Sequence, residues 1–485
     1  VPPTHLTPTE STSAVDTTTD ASSAEPYDLV GVGLGPFNLS LAALADGVAD
    51  LRTLFLDAKA EFSWHPGLMV EGATMQVPFL ADLVSLVDPT SPWTFLAYLR
   101  EHDRLFPFYF AERSHLSRRE YEHYCRWAAA RLPNCRFSSP VQAVAWDPRS
   151  RLFRIGLPDG GAVAARNIVL GIGTEPVVPA AFAELHAAGA VHHAENYLTV
   201  RDGLADSTDI TVVGSGQSGA EVFLDLLRSR GHASGRQLRW LTRTRAIAPM
   251  EYSKLGLEHF TPDYTRYFHA LPSHTKDALV PAQWQLYKAA SAETLGDIHS
   301  ALYERTIGGA PADVEILPGT EVEAARRGSC GGLELHCRHL QTGISYTRRT
   351  GSVILATGHA PRRPALLDPL GELVVRDDQG RLAVDLDHRV RLGADVTGGI
   401  YVQNAELHSH GVGAPDLGLG AHRAATILNA VAARPVHRLP PRTAWTTFGV
   451  PRPGASASAT QPAPAAVPVP RSAPGSGRLP QRSVR

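Results

Sequence analysis

Tyr27-Asp28-Leu29-Val30-Gly31-Val32-Gly33-Leu34-Gly35-Pro36-Phe37-Asn38-Leu39-Ser40-Leu41 is the stretch that decides the fold. Its apolar start predicts a strand, its glycines a tight turn, and the residues from about Phe37 a helix. Gly31, Gly33 and Gly35 let the backbone turn sharply and approach a pyrophosphate, with Val32 and Leu34 between them. The helix N-terminus then offers free N–H groups and a partial positive charge to that anion. Pro36 stands where the usual third glycine falls, and proline suits the first turn of a helix because its missing N–H costs nothing there. A second strand, Thr53-Leu54-Phe55-Leu56, ends in Asp57. An acid about 20 residues beyond such glycines is placed to bind a ribose hydroxyl.

A second turn follows a Val/Ile-rich strand at Gly214-Ser215-Gly216-Gln217-Ser218-Gly219 and opens an amphipathic helix. The strand after it, Gln237 to Thr242, ends in Arg243-Thr244-Arg245 rather than in an acid. Arginine there favours a 2′-phosphate over a bare ribose; the alternative is that Arg243 and Arg245 are ordinary surface charges. Val353-Ile354-Leu355-Ala356-Thr357-Gly358 is a third strand with a glycine stop, and Ile168 to Pro176 reads as its partner. Two dinucleotide turns in one chain point to an α/β flavoenzyme with two Rossmann-like domains, one for FAD and one for NADPH.

The 485 residues suggest two or three domains. With 46 Lys+Arg against 48 Asp+Glu, nothing argues for nucleic acid or an anionic membrane surface. No run reaches the roughly 18 apolar residues of a membrane span. Cys125, Cys135, Cys330 and Cys337 form no metal-type spacing, so no metal is expected, and reduced thiols fit a cytoplasmic enzyme. Residues 1–25 and 446–485 have the composition of a disordered leader and tail.

Further motifs complete a resemblance. Phe62-Ser-Trp-His65, Met75-Gln-Val-Pro-Phe-Leu-Ala-Asp-Leu83, Asp88-Pro-Thr-Ser-Pro92, Tyr124-Cys-Arg-Trp127 and His410-Gly411 join the two glycine turns. From about Tyr27 to about Val431 the chain resembles the flavin-dependent N-hydroxylating monooxygenases. Those enzymes act on lysine, ornithine and small diamines in hydroxamate siderophore synthesis.

The resemblance implies an FAD domain in two parts, 26–205 and 350–445, around an NADPH domain at 206–349 that carries a substrate-binding insertion. It implies that the first turn, Asp57, Val141, Thr357 and Gly358 bind FAD. Trp64, His65 and Gln76 would lie near flavin and nicotinamide. Residues Ser215 to Ser218 would hold the NADPH pyrophosphate and Arg243 the 2′-phosphate, while Tyr287 would meet both NADPH and substrate. Pro415, Asp416, Leu417 and Gly418 match a loop that closes over the flavin. Trp64 could alternatively be plain core and His65 a satisfied interior histidine. Gln76 is a polar residue between Met75 and Val77, so if buried it needs a partner.

The departures set the expected substrate. Amino-acid hydroxylases of this type carry a lysine for the substrate's α-carboxylate where this chain has Ala81. A looser match puts Leu257, in the loop with Glu258 and Phe260, where the ornithine enzymes have an asparagine. A buried carboxylate without a partner is costly. The reading is therefore a diamine, cadaverine or putrescine, N-hydroxylated with O₂ through a flavin hydroperoxide, as in the branch that feeds desferrioxamine-type siderophores. Asp416, Glu258 and Glu406 are candidates for the second ammonium; the alternative for Asp416 is a cap on a local turn. The competing reading is lysine (or ornithine), its carboxylate held by His408, His410 or Arg423. A flavoprotein reductase without an amine substrate is the remote third. The resemblance also implies a homo-oligomer, typically a tetramer.

Overall fold

Alternate residues of the Tyr27–Val32 strand point to opposite faces: Leu29 enters one apolar cluster, Val30 and Val32 another. Burial on both faces is what a central parallel strand requires. In the computed structural model it pairs in parallel with Thr53–Leu56 on one side and Ala162–Leu170 on the other. The structure describes residues 25–204, 207–230, 236–329 and 331–450. Residues to Thr446 form one compact unit. The expected leader and tail fall largely outside the described residues, as does Cys330.

The first sheet has eight strands, with Gly399–Val402 beside Ala162–Leu170 and Cys135–Arg136 beyond Thr53–Leu56. The helix Pro36–Asp46 covers one face with Arg118–Arg131 and the late helix Gly420–Ala432. Leu39, Phe55, Tyr124, Ala425 and Leu428 are all fully buried there.

The second sheet is all parallel: His192–His193, Ser352–Leu355, Asp209–Val213, Gln237–Leu241 and Val314–Leu317, in that order. The helix Gln217–Ser229 packs on it through Val222, Phe223 and Leu226, with Phe223 stacked on Trp240. The fold is thus α/β with two Rossmann-like sheets. The second sheet draws strands from outside 206–349, because the buried Ser352–Leu355 segment pairs with the Asp209–Val213 strand rather than returning to the first sheet. The two connecting segments, Thr174–Pro176 and His359–Pro361, pair antiparallel. No helix among the described residues is long and apolar enough to cross a membrane.

Candidate active site

The first turn is held by side chains. Asp57, at the end of its strand, accepts the Leu34 N–H at 2.6 Å and the Lys59 N–H at 2.8 Å. A carboxylate has about four lone-pair sites, so capacity remains for a ribose hydroxyl. Gly33 has φ +88°, and a Cβ there would stand 2.4 Å from the Gly171 carbonyl oxygen. Two residues given no role in the sequence reading complete the turn. Asn38 donates to the Gly33 carbonyl at 2.7 Å, and Gln403 donates to Asn38 at 2.6 Å. Asn38 is a buried polar residue in an apolar helix, which was the available signal; Gln403 had none.

The second turn follows the same geometry. Gly214 has φ +128°, and a Cβ there would lie 2.1 Å from the Ala356 carbonyl oxygen. Gly219 sits tightly against Gly214, with 2.5 Å from its built Cβ to the Gly214 oxygen. Gln217 departs from expectation, since its side chain turns away from the turn. It bonds Glu221 and Thr294 and accepts the Ser291 N–H, leaving only its backbone to face an anion. The Lys288 carbonyl lies 3.0 Å from a Cβ built on Gly216, which brings the segment with Tyr287 to the second turn. Lys288 itself is exposed, with its ammonium 5.2 Å from the Tyr287 ring centroid. Ser215 and Ser218 are half-buried at the turn. Arg243 is exposed at 75 %, with Glu321 at 3.7 Å as its ion-pair partner among the described residues.

Gln76 lies on the Thr74–Pro78 strand, and its Nε2 is buried without a hydrogen-bond partner. Trp64 packs edge-on against His65 and Tyr121. His65 meets His359 across 6.3 Å, ring to ring, so the Phe62–His65 motif borders the point where the connecting segments cross. Gly358, beside it, has open space where a Cβ would be, as does Gly35. The Thr357 hydroxyl donates to the Val177 carbonyl at 2.5 Å, and Val141 packs against the first sheet's second apolar cluster. These residues fit a dinucleotide at each turn: the glycines leave room for it, and Gln76 keeps a buried donor for it.

His193, Glu195 and His359 form a group that could hold a metal, with ligand atoms all within 4.8 Å of one another. Zinc–nitrogen bonds of 2.0–2.1 Å set ligand atoms about 3.4 Å apart, tighter than this spread. His193 Nδ1 also accepts the Glu195 N–H, which leaves the ring proton on Nε2. Burial, with His359 nearby, pushes His193 down to about 4, so the ring stays neutral.

The substrate motif and the closing loop meet. A Cβ built on Gly418 would lie 4.0 Å from the buried Ala81 Cβ. Neighbouring Asp82 is fully engaged, accepting from Val84 N, Ser85 N, Ser85 Oγ and Phe95 N. Asp416 caps the turn Leu417–Leu419 by accepting the Gly418 N–H at 2.7 Å, as the local alternative expected. The Gly256–Phe260 turn, with Leu257 and Phe260 half-buried, abuts Gly411–Gly413. Glu258 is a correction. Both its oxygens accept backbone N–H groups, from Trp445 at 2.9 Å and Thr446 at 2.7 Å, so it anchors the chain end of this unit. Glu406 is another. It is fully buried against Arg423 at 3.1 Å and His388 at 3.3 Å. Burial raises its carboxyl, but Arg423 and His388 outweigh that and hold it at about 2.

A family model described as L-lysine 6-monooxygenase/L-ornithine 5-monooxygenase matches residues 25–361. The chain belongs to this family. The expected resemblance is thereby borne out, and the protein is an N-monooxygenase. It is 40% identical over 434 residues to the rhizobactin siderophore biosynthesis protein RhbE of Rhizobium meliloti, covering 88% of this chain and 95% of that one. It is 38% identical over 428 residues to the putrescine N-hydroxylase of Shewanella oneidensis, covering 87% and 84%. In three dimensions it matches the FAD-bound desferrioxamine-pathway cadaverine monooxygenase DfoA of Erwinia amylovora. The TM-score is 0.85 at 35% identity, over 88% of this chain and 100% of that one.

Proposed function

We propose that this monooxygenase N-hydroxylates one amine of a small aliphatic diamine, cadaverine or putrescine, with FAD, NADPH and O₂, for hydroxamate siderophore synthesis. The observation that carries the diamine reading is the engagement of every cation considered for an α-carboxylate. Arg423 is taken by Glu406 and by the Gly413 and Ala414 carbonyls. His408 bonds the Leu382 carbonyl, and His410 is buried between Ser409 and the Leu386 carbonyl. Burial pushes both histidines toward the neutral form. Beside Ala81 a carboxylate would therefore go unpaired.

FAD, reduced by NADPH, supplies the chemistry that activates O₂. The chain's own residues bind, orient and exclude water. The first turn with Asp57 would hold FAD, and Arg243 the 2′-phosphate of NADPH. Gln76 would fix the nicotinamide through its unpartnered Nε2. A primary amine titrates near 10.4 in water. Apolar surroundings beside the buried Ala81 would lower that value by disfavouring the charge, which would present the amine as a nucleophile. The same reading includes a homo-oligomer. Its support is an apolar face at Leu105–Ala111, where Phe106, Tyr109 and Phe110 are exposed.

Lysine is the second reading, favoured by the family's own description. The test is hydroxylamine formation from cadaverine, putrescine, lysine and ornithine in parallel, since NADPH loss alone also counts uncoupled oxidation. Product from the diamines only is the expected result. Product from lysine only overturns the diamine assignment.

A further inference from the structure

A diamine that loses a proton from one amine still carries an ammonium at the other end. Of the acids near the Ala81 motif, Asp82, Glu258 and Glu406 are each saturated by the protein's own donors. Asp416 is not. Its Oδ1 accepts one backbone N–H, from Gly418, and no side-chain donor reaches either oxygen among the described residues. It lies in a loop whose neighbours Gly413, Ala414 and Leu419 are buried, while its own side chain remains partly open. The nearest cation, Arg423, is held by Glu406 and stacks over Phe37 at 4.7 Å. Gly418 joins the two pieces: a Cβ built there would sit 2.7 Å from Asp416 Oδ1 and 4.0 Å from Ala81 Cβ.

Resting on the diamine reading above, we infer that Asp416 is the specificity residue that binds the unreacted ammonium of the substrate. Where a lysine at position 81 would pair with a carboxylate on the substrate, this pocket reverses the charges. The carboxylate belongs to the protein and the cation to the ligand. Its partial desolvation makes that pairing stronger than one in open water. Burial raises its carboxyl to about 6, against the weaker opposing pull of the Gly418 N–H, Arg423 and the Leu419 N–H, and the Tyr252 phenol is the other titratable group that feels its charge. The turn cap from the Gly418 N–H falls on Oδ1.

The test compares a diamine with the monoamine of equal chain length, pentylamine beside cadaverine and butylamine beside putrescine. Hydroxylamine formation is the readout. Asp416→Asn keeps the turn cap and removes the charge. It should lower kcat/KM at least about tenfold more for the diamine than for the monoamine, mostly through KM. In the unsubstituted enzyme the diamine-to-monoamine ratio of kcat/KM should fall as pH drops through about 6, because protonated Asp416 no longer attracts the ammonium. The reacting amine's own titration cancels in that ratio. Should Asp416→Asn fail to hold flavin, Ala81→Lys decides, since a lysine there competes for Asp416 and should cut diamine turnover far more than monoamine turnover.

Equal losses for diamine and monoamine, or an unchanged diamine KM, overturn the assignment of Asp416 alone. An unsubstituted enzyme that hydroxylates lysine and no diamine overturns the function reading, and this inference with it, before any variant is made.

Discussion

At the first glycine turn, side chains close on the backbone from three places: Asp57 on Leu34, Asn38 on Gly33, and Gln403 behind Asn38. At the second, among the described residues, the Trp240 indole is the side chain that reaches the turn, donating to the Gly214 carbonyl at 2.7 Å, while Gln217 bonds away from it. In the proposed function, charge recognition at the second turn falls to Arg243, exposed and weakly paired. A turn whose shape is fixed in advance loses little freedom on binding and holds its ligand longer. A turn that relies on a mobile arginine binds with an ordering cost and releases more readily. The difference is the one expected if, as proposed, a resident flavin occupies the first turn and an exchanging nicotinamide co-substrate the second.

The comparison breaks most readily at Asp57. Asp57→Ala leaves the Leu34 and Lys59 N–H groups unpaired, and flavin retained per protein after gel filtration should fall to about a tenth or less. Full flavin retention would mean the first turn is not side-chain-organised. Arg243→Ala should raise the KM for NADPH roughly 10- to 100-fold while leaving that for NADH within about twofold. Equal changes for both would show that Arg243 does not read the 2′-phosphate. Gln76, between the two ligands, should affect coupling rather than binding. Gln76→Ala should raise peroxide released per NADPH about two- to fivefold. The smallest effect on turnover belongs to Gln217→Ala. It should cost about 1–3 kcal/mol of stability in denaturant unfolding, with KM for NADPH little changed.

What was legible in the sequence was local. Strand, glycine turn and helix follow one another within about 15 residues, and strand periodicity with glycine spacing specifies them without help from elsewhere. Ala81 could be read the same way, as a missing cation within a short motif. The hidden part was assembled over long distances. Gln403 reaches Asn38 from 365 residues away, and Arg118 pairs with Glu221 across 103. Glu258 looked available because nothing nearby in sequence announces that residues 445 and 446 fold back onto it. The His192–His193 and Ser352–Leu355 strands joined the second sheet for the same reason: so short a strand can pair with any exposed strand edge, and only the assembled fold decides which.

The antiparallel pairing of Thr174–Pro176 with His359–Pro361 has a mechanical meaning. Two separate crossings would act as independent tethers and allow the second lobe to wander. Hydrogen-bonded to each other, they form a short ribbon, stiff to stretching and shear yet able to bend across its flat face. Any relative motion of the lobes is thereby confined toward a single axis. The Arg118–Glu221 pair, bidentate at 2.7 and 2.8 Å, adds a second tie, between the Arg118–Arg131 and Gln217–Ser229 helices.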